Sequence, residues 1–447
     1  MINNPHKPVF HITGEQGWIN DPNGVVRFKN QYHVFFQYHP YSCEWGPMHW
    51  GHVISNDLKT FTYLPNALTP GDAFDKDGCF SGSSLVKDGV LYIAYTGFIN
   101  NENPDDIKQI QCLASSEDGI HFKKHGAIIT GDDLPNIYKP CDFRDPKLIY
   151  KDGYYYLFAV AKKVSGGGSI VLFRSLDLKK WEFVSDVLTH NSEGKMLECV
   201  DYHEDLGLLL YSEQDFPSES EHCLNIHSCE YEVGKLDKNY KFISKDGKKL
   251  LDYGFDFYAA QIMDDGHYLF AWMNMWGRNN PSSQYGFAGM LTVPRKVEVV
   301  DNVLLQTPII NGESKEESSS KKFSTHITSG TVVLEVEELK NLDVKMRKGN
   351  DGEETKFYLE KDLFYFDRSH SGEKILGEEK DNFSLNGIRK MPYLKKGKTT
   401  IYFVLDKYSI EIFVNGISMS NVIYPKEDSD LFLLDVEGLG CSVKVYK

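Results

Sequence analysis

No stretch of the chain approaches the roughly 20 consecutive apolar residues of a membrane span, so helical insertion into a bilayer is excluded from the reading. Positive charge is in deficit: 49 Lys and Arg face 64 Asp and Glu, a formal net charge of −15. Neither nucleic acid nor an anionic membrane is an expected partner. Cysteine is scarce and scattered. The eight positions (43, 79, 112, 141, 199, 223, 229 and 441) form no CxxC pair and no secreted-domain spacing, which predicts free thiols in a reducing compartment. Residues 1–10 lack a basic stretch leading into an apolar run, so no secretory leader is read and a cytoplasmic location is expected. A mature secreted form is the alternative. Metal and phosphate-loop signatures are missing too. His39, His49, His52 and His121 show no metal-ligand spacing, and Gly166-Gly167-Gly168 lacks the Lys-Ser/Thr ending of a phosphate-binding loop. No metal or cofactor is expected.

What the chain has is aromatic residues and short strands. Aromatics make up 13%, with 26 Tyr and 27 Phe, and runs such as Tyr32–Phe36, Val90–Tyr95 and Tyr154–Val160 alternate with Gly, Asp and Asn turns. A turn pattern recurs: Ser55-x-Asp57 before Phe61, Ser116-x-Asp118 before Phe122, and Ser175-x-Asp177 before Trp181, with a fainter echo at Asp237 before Phe242. The period is about 60 residues, the size of a four-strand propeller blade. At 447 residues the chain suits a large domain plus a smaller one. The expected fold is all-β: a five-bladed β-propeller over 1–305, a polar connection over 306–322 and a C-terminal β-sandwich over 323–447.

Three carboxylates stand in constrained settings: Asp21 within Trp18-Ile19-Asn20-Asp21-Pro22-Asn23-Gly24, Asp145 within Arg144-Asp145-Pro146, and Glu198 before Cys199. Pro and Gly mark tight turns that hold a short side chain at a fixed angle. An aromatic ring three residues before Asp21 suits the apolar wall of a sugar site. Glycosidic bond cleavage needs two carboxyl groups and gains from a third polar contact on the sugar.

These runs, with Phe80-Ser81-Gly82-Ser83 between the first and second, resemble glycoside hydrolase family 32, the β-fructofuranosidases, in content, order and spacing. The resemblance extends from about residue 5 to the C-terminus and is densest in the first 300 residues. It implies a retaining β-fructosidase in which Asp21 is the nucleophile, Glu198 the acid/base and Asp145 a stabiliser of the transition state. It also implies that Trp18, Asn20, Gln37, Trp45, Ser81 and Arg144 line the fructose pocket, joined by Phe80. Tyr258 and Trp276 belong to a later run near the rim, where they would meet the leaving group. Ile19 replaces the commoner Met, and the run from Asp252 to Gln261 is looser than the family's.

The expected partner is a small sugar. Sucrose 6-phosphate is the leading substrate on the cytoplasmic reading, with plain sucrose or short fructans as the alternative. A carbohydrate-binding propeller that has lost activity is a second class of reading. The presence of both Asp21 and Glu198 argues against it. The chain carries no feature that sets an oligomeric state.

Overall fold

The computed structural model describes residues 4–101, 103, 106–189, 196–215, 224–378, 381, 387–395 and 397–447. Blade one consists of Gly17–Phe28, Gln31–His39, His49–Ser55 and Thr62–Leu68, and blade two of Gly78–Lys87, Val90–Ile99, Lys108–Ser116 and Lys123–Ile129. Blade three holds Tyr138–Lys151, Tyr154–Lys163, Gly168–Ser175 and Trp181–Thr189. Blade four holds Met196–His203, Leu208–Gln214, Ser228–Leu236 and Phe242–Ser244. Blade five holds Tyr258–Ile262, Tyr268–Trp272, Arg295–Val300 and Val303–Pro308. The first strands of neighbouring blades touch around the ring, so each blade runs from the axis outwards. The all-β propeller expected from the repeat is the observed fold.

The repeated Ser-x-Asp motif is the turn between the third and outermost strands. Ser55 Oγ accepts from the Leu58 amide at 2.8 Å, and Asp57 Oδ1 accepts from the Lys59 and Thr60 amides at 2.8 and 3.0 Å. Ser116 with Asp118 and Ser175 with Asp177 repeat this arrangement, and Asp237 keeps the carboxylate half of it. Blade five replaces the turn with a two-residue hairpin at Asp301 and Asn302, both at positive φ, which is why the repeat fades there.

Each blade is buried on both faces, so its middle strands read as continuous apolar runs rather than alternating ones. Phe35 packs toward blade two with Trp50, Ile93 and Tyr95, while its neighbours Val34 and Phe36 pack toward blade five with Met263 and Phe270. Three further clusters fill the remaining gaps between blades.

The ring is closed by Phe287–Ala288, which pairs parallel to Gly17–Trp18 at the start of blade one. The Gly17 amide donates to the Gly286 carbonyl at 2.8 Å. Gly17 has φ 77° and lies against the His39 carbonyl where a Cβ would clash, so glycine is required there. Beyond blade five, Ser314–Ser318, within the stretch read from sequence as a connection, pairs with the C-terminal strand Leu431–Tyr446. The long strand Gly330–Lys348 pairs with Thr399–Asp406, Glu354–Glu360 and Leu431–Tyr446, and the resulting sandwich-like module encloses its own apolar core.

That module is fastened to the propeller by buried charge. Arg295 is fully buried and reaches Asp252 and Glu411, and Asp256 is held by Arg278 and Arg368. Phe255 enters the module's core with the guanidinium carbons of Arg368 and Arg389 at 3.7 and 3.9 Å from its ring centroid. His11, from the segment before blade one, bridges Asp406 at 2.9 Å and Glu411 at 2.8 Å.

Candidate active site

Every innermost strand bulges where it meets the axis. The extra residues are Asn20-Asp21 opposite Gln37, Ser81 between Phe80 and Gly82, Asp145-Pro146 opposite Ala159, Cys199-Val200 opposite Tyr211, and Ala259-Ala260 opposite Ala271. A bulge leaves a residue outside the ladder and turns its side chain out of the sheet. Asp145, Cys199 and Ala259 take φ of 59°, 51° and 52°, a conformation costing on the order of 1 kcal/mol for residues with a Cβ. The preceding blade holds each of their amides. Asp145 N donates to Thr96 Oγ1 at 2.9 Å, Cys199 N to Asp145 Oδ2 at 2.8 Å, and Ala259 N to Ser212 Oγ at 3.1 Å.

These bulges bring three carboxylates together from blades one, three and four. Ser81 Oγ donates to Asp21 Oδ2 at 2.6 Å. Cys199 Sγ lies 3.5 Å from Asp21 Oδ2 and 3.7 Å from Asp145 Oδ2, so one thiol spans both acids. Arg144 reaches Glu198 Oε1 through Nε and Nη2, at 3.2 and 3.1 Å, and its Nη1 is shared by Gln109 and Asp142, each at 3.3 Å. Tyr258 donates its phenol to Glu198 Oε2 at 2.8 Å. Asp21 and Asp145 are 9% and 6% exposed, and the Glu198 side chain is 16% exposed.

Burial pushes the Asp21 carboxyl above its ordinary value; the Ser81 hydroxyl opposes this and the Glu198 charge adds to it. Asp145 is pushed up to about 7 by burial, with Arg144 opposing and the charges of Glu198 and Asp21 adding. Burial and the neighbouring carboxylates push the Cys199 thiol and the Tyr258 phenol well up, so both remain protonated donors.

An apolar wall stands beside them. Trp18 stacks on Trp276 with ring centroids 5.9 Å apart and donates its indole N–H to Asn20 Oδ1 at 2.9 Å. Met48, Tyr258, Ala259 and Trp272 fill the space behind, with Phe80, Cys199 and Trp276 partly exposed in front. Trp45 is 47% exposed and meets Phe80 edge-on at 5.8 Å.

The sequence-predicted residues therefore fall into two layers. Asp21, Ser81, Arg144, Asp145, Glu198, Tyr258, Trp18, Asn20, Phe80, Trp276 and Trp45 surround or border one recess. Gln37 lies beneath it, 2% exposed, its amide donating to the Cys79 carbonyl at 3.0 Å and tying blade one to blade two. Of the Asp252–Gln261 run, the acids Asp252 and Asp256 belong to the junction with the C-terminal module, while Tyr258 belongs to the recess. The sequence signals neither the contacts of Cys199 with two acids nor the role of Thr96, whose hydroxyl also donates to Gln111 Oε1 at 3.1 Å. The adjacency of Cys199 to Glu198 places the thiol near the site without showing those contacts, and nothing local marks Thr96.

Two family models match the chain: the glycosyl hydrolases family 32 N-terminal domain over residues 11–308, and the family 32 C-terminal domain over residues 302–444. A sucrose-6-phosphate hydrolase of Zymomonas mobilis is 36% identical, covering 96% of this chain and 89% of that protein. A raffinose invertase of Escherichia coli is 35% identical, covering 94% and 90%. Among solved structures, a Bombyx mori β-fructofuranosidase is 28% identical, with a TM-score of 0.80 over 100% of this chain and 94% of that one. The sucrose-6-phosphate hydrolase of Lactobacillus gasseri shares the fold with a TM-score of 0.88 at 24% identity, over 100% and 93%. With both models spanning propeller and sandwich, and relatives matched nearly end to end, the chain belongs to glycosyl hydrolase family 32 and is a glycoside hydrolase.

Proposed function

We propose that this enzyme is a retaining β-fructofuranosidase that releases fructose from sucrose 6-phosphate. The observation that carries the reading is the convergence of Asp21, Asp145 and Glu198, with one thiol spanning two of them and one guanidinium gripping the third. Asp21 attacks the anomeric C2 of the fructosyl unit. The bond from C2 to the bridging oxygen breaks, an ester forms to Asp21, and Glu198 gives its proton to the departing oxygen. Water then attacks C2, Glu198 takes a proton from it, and Asp21 leaves as a carboxylate. Asp145 accepts hydrogen bonds from fructose hydroxyls and steadies the positive charge developing on the ring.

Arg144 and Tyr258 hold Glu198 in position for both steps. Both donate to its carboxyl group, from the blades on either side of its own. Trp18, Trp276 and Phe80 cover the C–H faces of the sugar, while Asn20 and Ser81 read its hydroxyls.

The phosphorylated substrate is supported by the name of the Zymomonas mobilis relative, and a cytoplasmic location accompanies it. The seven described cysteines are free thiols, in keeping with that compartment. The raffinose invertase relative favours unphosphorylated saccharides as the second reading. Fructose release from sucrose 6-phosphate, sucrose and a short inulin distinguishes them, with Glu198→Gln as control. At least tenfold higher kcat/KM on the phosphorylated disaccharide is expected. Equal turnover of sucrose would replace this reading with the second, and activity unaffected by Glu198→Gln would remove the assignment of the acid.

A further inference from the structure

A second cavity, of about 640 Å³, lies where the end of the propeller meets the C-terminal module. That volume is within the range of small-molecule sites. One wall is a continuous aromatic stack. His6 lies on Tyr285 with centroids 3.9 Å apart, Tyr285 on Tyr408 at 6.2 Å with an interplanar angle of 12°, and Tyr408 against Tyr424 at 5.3 Å.

Set into this cavity is Arg347, which is 3% exposed. It sits at a bulge where Met346 and Arg347 together face Phe432, with φ of 48°. The bulge sends Met346 into the module's core and leaves Arg347 on the cavity side. Arg347 Nη1 donates to the Thr328 carbonyl at 2.9 Å. Its Nε–H is buried without an acceptor, and no carboxylate among the described residues lies within ion-pair distance. Glu353, Asp406 and Asp430 act on it only from farther away. Glu353 is committed to Ser429 and the Lys426 amide, and Asp406 to His11.

A buried guanidinium with donors to spare is costly unless something anionic meets it. Its planar fork suits an oxyanion such as phosphate. Lys407 adds positive charge at the rim, where Lys426 is paired with Asp351, against Glu373 and Glu427 at the exposed mouth. Tyrosine faces and hydroxyls are the surface a sugar ring uses. We propose that this cavity binds a phosphorylated monosaccharide, the phosphate on Arg347 and the sugar ring against Tyr408. The site is separate from the carboxylate cluster. It has a physical connection to that cluster: Tyr285 leads directly into Gly286, whose carbonyl holds the Gly17 amide next to Trp18.

The test is calorimetric titration of the full chain carrying Glu198→Gln with glucose 6-phosphate, inorganic phosphate and glucose, in the presence of saturating sucrose to occupy both the fructosyl and the leaving-group sides of the recess. Glucose 6-phosphate is expected to bind at one site, at least tenfold tighter than inorganic phosphate, with no binding of glucose. Adding Arg347→Gln should weaken this at least tenfold, and Tyr408→Ala should weaken glucose 6-phosphate while leaving inorganic phosphate unchanged. The Tyr408→Ala arm decides the matter if Arg347→Gln does not fold. Absence of binding at 10 mM, or binding untouched by the folded variants, overturns the proposal. Equal affinity for inorganic phosphate overturns its sugar half.

Discussion

Arg144 of blade three holds Glu198 of blade four by two donors on a single carboxylate oxygen, Nε at 3.2 Å and Nη2 at 3.1 Å, while the other oxygen is held by Tyr258 of blade five. The acid is thus fixed by the two blades on either side of its own. Replacing Arg144 with Lys keeps the charge and loses the fork. Hydrogen bonds to charged groups are worth about 1.5–3 kcal/mol, so kcat should fall roughly 10- to 100-fold. With its counter-ion loosened, Asp145 should hold its proton to still higher pH, and the acid limb of the kcat/KM profile should move upward. A limb that stays in place would show that Arg144 does not set the charge of the cluster.

Removing the two acids themselves should have unequal effects. Asp21→Asn removes the proposed nucleophile, and a loss of about ten-thousandfold or more in kcat is expected. Glu198→Gln should cost about a thousandfold on a natural sugar and far less on a substrate whose leaving group needs no proton. Comparison of the two variants on both substrates checks the assignment. The same dependence on leaving group in Asp21→Asn would reverse the roles.

His11 predicts a loss of stability on the alkaline side. Burial alone would lower its pKa, but hydrogen bonds from the ring to Asp406 and Glu411 raise it to about 9, above the ordinary 6.5. A raised basic group stabilises the fold fully below 6.5, and that contribution disappears as pH climbs through 9. The difference corresponds to roughly 3 kcal/mol. Urea midpoints between pH 6.5 and 10 should fall in the wild type and fall less in His11→Gln, which should be less stable throughout.

The opposite sign applies to His33 and His52, which share a 3.0 Å hydrogen bond and stack against Phe35. Burial pushes them down to about 4 and about 3. The unfolded chain takes up their protons near 6.5 while the fold does not, so stability falls as pH drops from 6.5 toward 4. His52→Gln retains a partner for His33 and removes one titration. Its thermal midpoint should depend less steeply on pH across that window, and an unchanged slope would mean the acid lability lies elsewhere.

What could be read from the sequence was what the chain decides within a few residues. Ser55-x-Asp57 closes its own turn, so the repeat announced the blades without any knowledge of their neighbours. The run from Trp18 to Gly24 likewise carries its bulge locally. The grip of Arg144 on Glu198 joins residues 54 positions apart, and His11 finds Glu411 across 400. Such pairs have no signature in either segment alone. The contact of Cys199 with Asp21, 178 residues earlier, is unsignalled for the same reason. Gln37 was legible as a polar residue near the site, but only the packing of blade two decides that its amide turns to the Cys79 carbonyl.

The parallel pairing of Phe287–Ala288 onto Gly17–Trp18 gives this enzyme a clasp, and the order of synthesis gives the clasp a meaning. Asp21 leaves the ribosome more than 260 residues before the strand that pins its neighbours. The Glu411 that ties down Arg295 and His11 arrives later still. A growing chain can complete four blades and carry all three acids without having a working centre. A single break near residue 288, far in sequence from all three clustered acids, would open the ring at the strand that carries Asp21.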